Sequence, residues 1–117
     1  MLAILAQTYC SEINRQNVKS LNYSSNTFDM MLDKGTMDAV SRLPDDEVFQ
    51  SMDEMARVLK PGGKIIQFTE EPPEVRTELW ETWQRKSSGQ KATGLRVGCQ
   101  EVDDHFVYRI TMGGKKA

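Results

Sequence analysis

The apolar positions of the chain change period several times, and each change marks an element. In "FDMMLD", residues 28 to 33, Phe28, Met30, Met31 and Leu32 lie on both faces of an extended segment, as in a strand covered on two sides. A short helical stretch is expected next, with Thr36 as N-cap and Asp38 in the first turn, where an acid suits the helix dipole. In "PDDEVFQSMDEMARVLKPGG" the period becomes helical: Val48, Met52, Met55 and Leu59 recur at spacings of four, three and four, and Phe49 and Ala56 widen the stripe. Pro44 stands near the first helical position with Asp45, Asp46 and Glu47 behind it, and Lys60-Pro61-Gly62-Gly63 stops the helix.

"KIIQFTE" reads as a second strand through the nearly continuous run of Ile65, Ile66 and Phe68. Pro72-Pro73 ends it and opens a helix through about Arg85, whose Val75, Leu79, Trp80 and Trp83 include two tryptophans expected to cover the sheet. After the flexible "KSSGQKATG", Leu95, Val97 and Cys99 alternate, as do Phe106, Tyr108, Ile110 and Met112. These two runs meet at Asp103-Asp104, so an antiparallel hairpin is predicted. The opening "MLAILAQTYC" carries Leu2, Leu5, Tyr9 and Ile13 at helical spacing, so residues 1–15, otherwise unassigned, are expected to form a short amphipathic helix. Strand, helix, strand, helix and hairpin make an α/β domain over residues 16–112, part of a doubly wound sheet, with 113–117 as a tail.

Composition narrows the chemistry. The 117 residues suffice for one small domain, and a formal net charge of -2 offers no basic excess for nucleic acid. Cys10 and Cys99 are far apart, and His105 is the only histidine, so no metal site is expected and the thiols read as reduced and intracellular. The apolar opening is too short to span a bilayer and lacks the basic flank of a signal peptide.

Asp33-Lys34-Gly35-Thr36 interrupts the first core strand. An Asp-Lys-Thr-Gly-Thr strand end carries the phosphorylated aspartate of certain ATPases, but here no threonine separates Lys34 from Gly35. The alternative is a ligand site at the carboxyl edge of an open parallel sheet. Asp33 ends one strand, Glu70 and Glu71 end its neighbour, and Asp38 lies one turn further on, so these acids are expected on a single edge. Asp38 and Glu71 serve equally well as helix-terminal acids. Asp33 reads as functional, because a strand end needs no acid for folding. Lys34 pairs with Asp33 or is solvated, and Gly35 permits a tight turn.

"FDMMLDKGTMDAV" followed by "MARVLKPGGKIIQFTEE" resembles the second half of class I S-adenosylmethionine-dependent methyltransferases. The Asp33-Lys34-Gly35-Thr36-x-Asp38-Ala39 ending is similar to their methyltransferase-like protein-lysine branch. "GGKIIQFTEEPPEVR" is most similar to the members acting on mitochondrial citrate synthase, and next to those acting on elongation factor 1-alpha. The resemblance implies the C-terminal half of a Rossmann-like doubly wound methyltransferase sheet ending in an antiparallel hairpin. It implies S-adenosylmethionine as cofactor and a protein substrate that presents a lysine, of citrate synthase or elongation factor 1-alpha type. It also implies a mitochondrial location, with the cytoplasm as alternative.

By that resemblance Asp33, Asp38 and Glu70 are the catalytic candidates, and Asp33, Lys34 and Gly35 border the cofactor. Aligning back from Thr27-Phe28-Asp29 places Asn17, beside Val18, near the adenine, where an asparagine carbonyl can accept the amino group's hydrogen bond. The glycine-rich turn and ribose-binding acid of the family are not found in the chain. It alone is therefore expected to bind the cofactor weakly or not at all, and a non-catalytic fragment or interaction module is the alternative function. In the family the strand at 28–33 lies beside one not identified here, so an unprotected, association-prone edge is expected, with one face of the sheet uncovered.

Overall fold

A computed structural model describes residues 21–86 and 94–113, together with the backbone of 3–7 and 10–14. Its elements are β1 (Ala3–Gln7), β2 (Cys10–Asn14), β3 (Phe28–Lys34), α1 (Thr36–Val40), α2 (Asp45–Val58), β4 (Leu59–Thr69), α3 (Pro73–Lys86), β5 (Arg96–Val102) and β6 (His105–Thr111). They form a sheet of order β2-β1-β3-β4-β6-β5. β3 and β4 are parallel, joined through α1 and α2, while β6 runs antiparallel to β4 and pairs with β5 in the expected hairpin.

The register puts Met31 opposite Ile65 and Asp33 opposite Gln67, and Ile65 and Gln67 opposite Ile110 and Tyr108. All six are buried, on the face that α2 and α3 cover. Val48, Met52 and Met55 of the α2 stripe are buried there, and so is Leu59, which belongs to β4 rather than to the helix. Trp80 and Trp83 of α3 are also buried, with their rings edge to face at 5.5 Å. Trp83 Nε1 donates to Asp53 Oδ1 of α2 at 2.9 Å, which ties the two helices together. On the other face Met30 is 36% and Phe68 42% exposed, so among the described residues the helices close one side of the sheet.

Strand β4 begins earlier than "KIIQFTE". Phe28 pairs with Leu59 and Met30 with Lys64, so two steps on β3 match five on β4, and Lys60-Pro61-Gly62-Gly63 bulges out. Gly63 is required there: a Cβ would meet the Lys60 carbonyl oxygen at 2.8 Å and that of Asp29 at 3.2 Å.

Two expectations are corrected at the N-terminal end. The helix expected within residues 1–15 is replaced by strands β1 and β2, which form an antiparallel pair. β1 also pairs antiparallel with β3, from Ala3 opposite Asp33 to Ala6 opposite Met30, so the β3 edge is covered. The physical reason is nonlocal. A helix this short is marginal by itself, whereas the β3 edge carries a row of backbone donors and acceptors that a strand satisfies.

Candidate functional site

The carboxyl ends of β3 and β4 open onto a cleft of about 630 Å³, lined among others by Lys34, Gly35, Asp38, Phe68, Glu70 and Glu71. Gly35 makes the turn from β3 into α1 with φ 93°, a conformation suited to glycine, and a Cβ there would meet nothing within 4 Å. The backbone of this turn is therefore open to close approach from the cleft.

Asp33 lies behind the turn, only 2% exposed. Its Oδ1 accepts from the Thr36 backbone N–H at 2.8 Å. Its Oδ2 accepts from Met37 N–H at 3.2 Å and from Gln67 Nε2 at 2.8 Å. The carboxylate thus caps α1, in place of the Thr36 cap expected, and Thr36 is the first helical residue. The expectation that the strand end needs no acid for folding is corrected. Burial pushes the Asp33 carboxyl above its ordinary range, against the pull of these N–H donors and of the Arg76 charge. A group so enclosed is poorly placed for phosphoryl transfer and does not form the open floor of the cleft.

Gln67 cannot turn its amide over, because its Oε1 accepts from Arg76 Nη1 at 2.9 Å and from Trp80 Nε1 at 3.2 Å. Arg76, on the first turn of α3, is fully buried and also donates Nε to Glu71 Oε1 at 2.8 Å and Nη2 to Asp38 Oδ1 at 2.6 Å. Thr69 Oγ1 donates to the same Asp38 oxygen at 2.7 Å, and the Tyr108 hydroxyl donates to the Glu71 carbonyl at 2.6 Å. Burial, with a smaller contribution from nearby Cys99, pushes the Tyr108 phenol well above its ordinary range, so it stays a donor. Among the described residues no buried side-chain nitrogen or oxygen lacks a hydrogen bond.

Asp38 and Glu71 therefore face the cleft while anchored from behind, with side chains 40% and 23% exposed. Glu70 reaches the same cleft from the solvent side, 79% exposed and 3.7 Å from His105 Nε2. Lys34 and Gly35 lie exposed on its rim. Asn17 and Val18 lie outside the described residues. Sequence reasoning missed Arg76, Gln67 and Thr69 as members of the site. A signal existed for Arg76: it stands four and seven residues before Trp80 and Trp83, on their buried stripe, where a guanidinium must find acids.

A parallel strand pair joined by helices, with a polar cleft at its carboxyl ends, is the arrangement of a Rossmann-type α/β sheet, the class of sheet in which ligands bind at that edge. Comparison with known proteins agrees: residues 1–67 match the family described as "Methyltransferase domain", a match that takes in residues 1–15, for which the sequence reading had found no relative. Human mitochondrial citrate synthase-lysine N-methyltransferase CSKMT is 39% identical over 87 residues, covering 74% of this chain and 35% of that protein. EEF1A lysine methyltransferase 4 of Bos taurus is 35% identical over 71 residues, covering 52% and 28% respectively. The crystal structure of a SAM-dependent methyltransferase from Aquifex aeolicus superposes with a TM-score of 0.57 at 19% identity, covering 86% of this chain and 54% of that one. The chain belongs to the methyltransferase-domain family, whose cofactor is S-adenosylmethionine. It spans about a third of the length of the curated relatives it matches.

Proposed function

We propose that the chain is the acceptor-side portion of a protein-lysine N-methyltransferase, with citrate synthase as the first candidate substrate and elongation factor 1-alpha as the second. The observation that carries this reading is the anchored pair Asp38 and Glu71 at the carboxyl edge of β3 and β4. Each gives one oxygen to Arg76, and no described residue engages the other. A lysine with an ordinary pKa near 10.4 costs about 4.6 kcal/mol to deprotonate at pH 7, so carboxylates that orient the amine and take its proton serve the reaction.

The residues fit the cofactor as far as they reach. The open Lys34–Gly35 turn lets a ligand approach the backbone, and the acids favour a cationic centre. S-adenosylmethionine, when bound, supplies a methyl group from its sulfonium by direct displacement. Asp33 would act through the turn it caps, Glu70 at the entrance, and Asn17 and Val18 toward the adenine. The likeness to the citrate synthase enzymes supports a mitochondrial location, with the cytoplasm as alternative; no helix among the described residues is long and apolar enough to cross a membrane.

One observation favours a second reading, a non-catalytic methyltransferase-like module. β1 is antiparallel to β3, and Ala3 pairs with Asp33, so β1 starts rather than ends at the cleft edge. Radiolabelled methyl transfer to citrate synthase and to elongation factor 1-alpha separates the two. Label on a lysine of either supports the first reading. Absence of label on both, with no saturable S-adenosylmethionine binding by calorimetry, overturns it in favour of the second.

A further inference from the structure

Resting on the lysine-acceptor reading, we infer that Arg76 is a positioning residue, which sets Asp38 and Glu71 as a paired acceptor for a primary ammonium group. The guanidinium donates from three nitrogens to three segments: Nη2 to Asp38 of α1, Nη1 to Gln67 of β4, and Nε to Glu71 between β4 and α3. Its planar fork fixes the distance and angle between the two carboxylates, which a lysine ammonium on a flexible stem cannot do. Arg76 is fully buried and therefore does not compete with a ligand for the cleft. Its own direction is set by Gln67, whose other end is held by Asp33, and its guanidinium carbon lies 5.8 Å from the centroid of the Tyr108 ring.

Charge points to the ligand class. One guanidinium stands against two carboxylates, Asp38 and Glu71, so this trio carries one negative charge in excess, on a wall that also holds Glu70, Lys34 and Arg42. The outward oxygens, Asp38 Oδ2 and Glu71 Oε2, suit an ammonium with several donors. Phe68, 42% exposed, and Val75, 51% exposed, line the same cleft and offer apolar surface to an aliphatic stem.

The test is an NMR titration of the 117-residue chain with Nα-acetyl-lysine methylamide, reading the carboxyl carbons of Asp38 and Glu71, together with their χ1 couplings without the probe. The parent is expected to show one fixed χ1 for each acid and saturable shifts. Arg76→Lys keeps the charge and loses the fork; it is expected to retain the Trp80 indole signal, average the couplings and weaken the probe on the order of tenfold. Glu71→Gln keeps the acceptor for Arg76 Nε and the fixed Asp38 coupling but removes the outward charge, and should weaken the probe similarly. Fixed couplings and parental affinity in folded Arg76→Lys overturn the positioning role. If that variant does not fold, Glu71→Gln decides: unchanged affinity overturns the inference. A parent that ignores the probe overturns the inference and the lysine reading together, whereas binding by the parent with fixed couplings and parental affinity in Arg76→Lys overturns the inference alone.

Discussion

Replacing Asp33 by asparagine changes one atom and leaves the side-chain shape intact, so its cost isolates the hydrogen-bond pattern at the end of β3. Three donors converge on the carboxylate: the backbone N–H groups of Thr36 and Met37 and the side-chain amide of Gln67. An amide offers one oxygen and one NH2. With its oxygen toward Thr36, the new NH2 faces Gln67 Nε2; turned over, it faces the first N–H groups of α1. Gln67 cannot adapt, because reversing its amide would set NH2 against Arg76 Nη1 and Trp80 Nε1. A buried donor left without an acceptor costs about 1–3 kcal/mol. Relief of the buried charge offsets part of this, so Asp33→Asn is expected to cost about 2 kcal/mol near pH 7.

Urea unfolding followed by tryptophan fluorescence measures that loss. The double variant Asp33→Asn with Gln67→Glu restores complementarity, since the new carboxylate accepts from the new amide, from Arg76 and from Trp80. It should recover more than about 1 kcal/mol. The pH dependence has a definite sign. The folded Asp33 carboxyl titrates above 3.8, so over the window above that value the folded state holds a proton the unfolded state has lost. The contribution of Asp33 to stability therefore falls as pH rises above 3.8, and the gap between parent and Asp33→Asn should narrow over the same rise. A single variant within about 0.5 kcal/mol of the parent, or a double variant no better than the single, would refute the donor-against-donor reasoning.

Glu54→Gln should cost on the order of 1 kcal/mol at neutral pH, because Glu54 binds Arg57 Nε at 2.6 Å and the Leu21 N–H at 2.8 Å. The Arg57 hydrogen bond holds the Glu54 carboxyl below 4.5, so the parent loses this contribution as pH falls below 4.5 and the variant does not; urea midpoints in mild acid that shift equally in both would contradict it. Gly35→Ala meets no atom, so its cost of about 1–2 kcal/mol comes from the positive φ alone, and an unchanged melting temperature would refute that. Deleting residues 1–14 should uncover β3 and shift the protein toward larger species in size-exclusion chromatography with light scattering, and an elution unchanged from the parent would show that β1 does not protect that edge.

The α2 stripe, β4, α3 and the closing hairpin were legible because their evidence is periodic and local, as with Val48, Met52 and Met55 on one helical face. The N-terminal strands were not, since Leu2, Leu5, Tyr9 and Ile13 satisfy a helical period while the decisive fact is the open edge of β3. The cap formed by Asp33 was half legible. An acid followed by Lys34-Gly35 and then a helix start has the form of a side chain bonding its own backbone three residues on, yet the nearby Thr36 matched the commoner N-cap pattern. The bond from Arg76 to Asp38 joins residues 38 apart, and no local pattern reports such a pairing.

The same hydrogen bonds that close the core also place the acids of the cleft, so loss of activity in a variant is ambiguous unless stability is measured beside it. Asp33 and Gln67 act on the cleft only through the fold: Asp33 holds the start of α1, which carries Asp38, and Gln67 fixes the direction of Arg76. Glu71 acts at the surface of the network, giving one oxygen inward and turning the other outward. Substitutions at 33 and 67 should therefore move stability and ligand affinity together, and a compensating pair should restore both. A change of charge at Glu71 should move affinity with little change in stability, because the inward acceptor survives. A variant series in which affinity follows stability at every position, Glu71 included, would mean that the cleft is only the outer surface of a structural network, and the module reading would then be the better account.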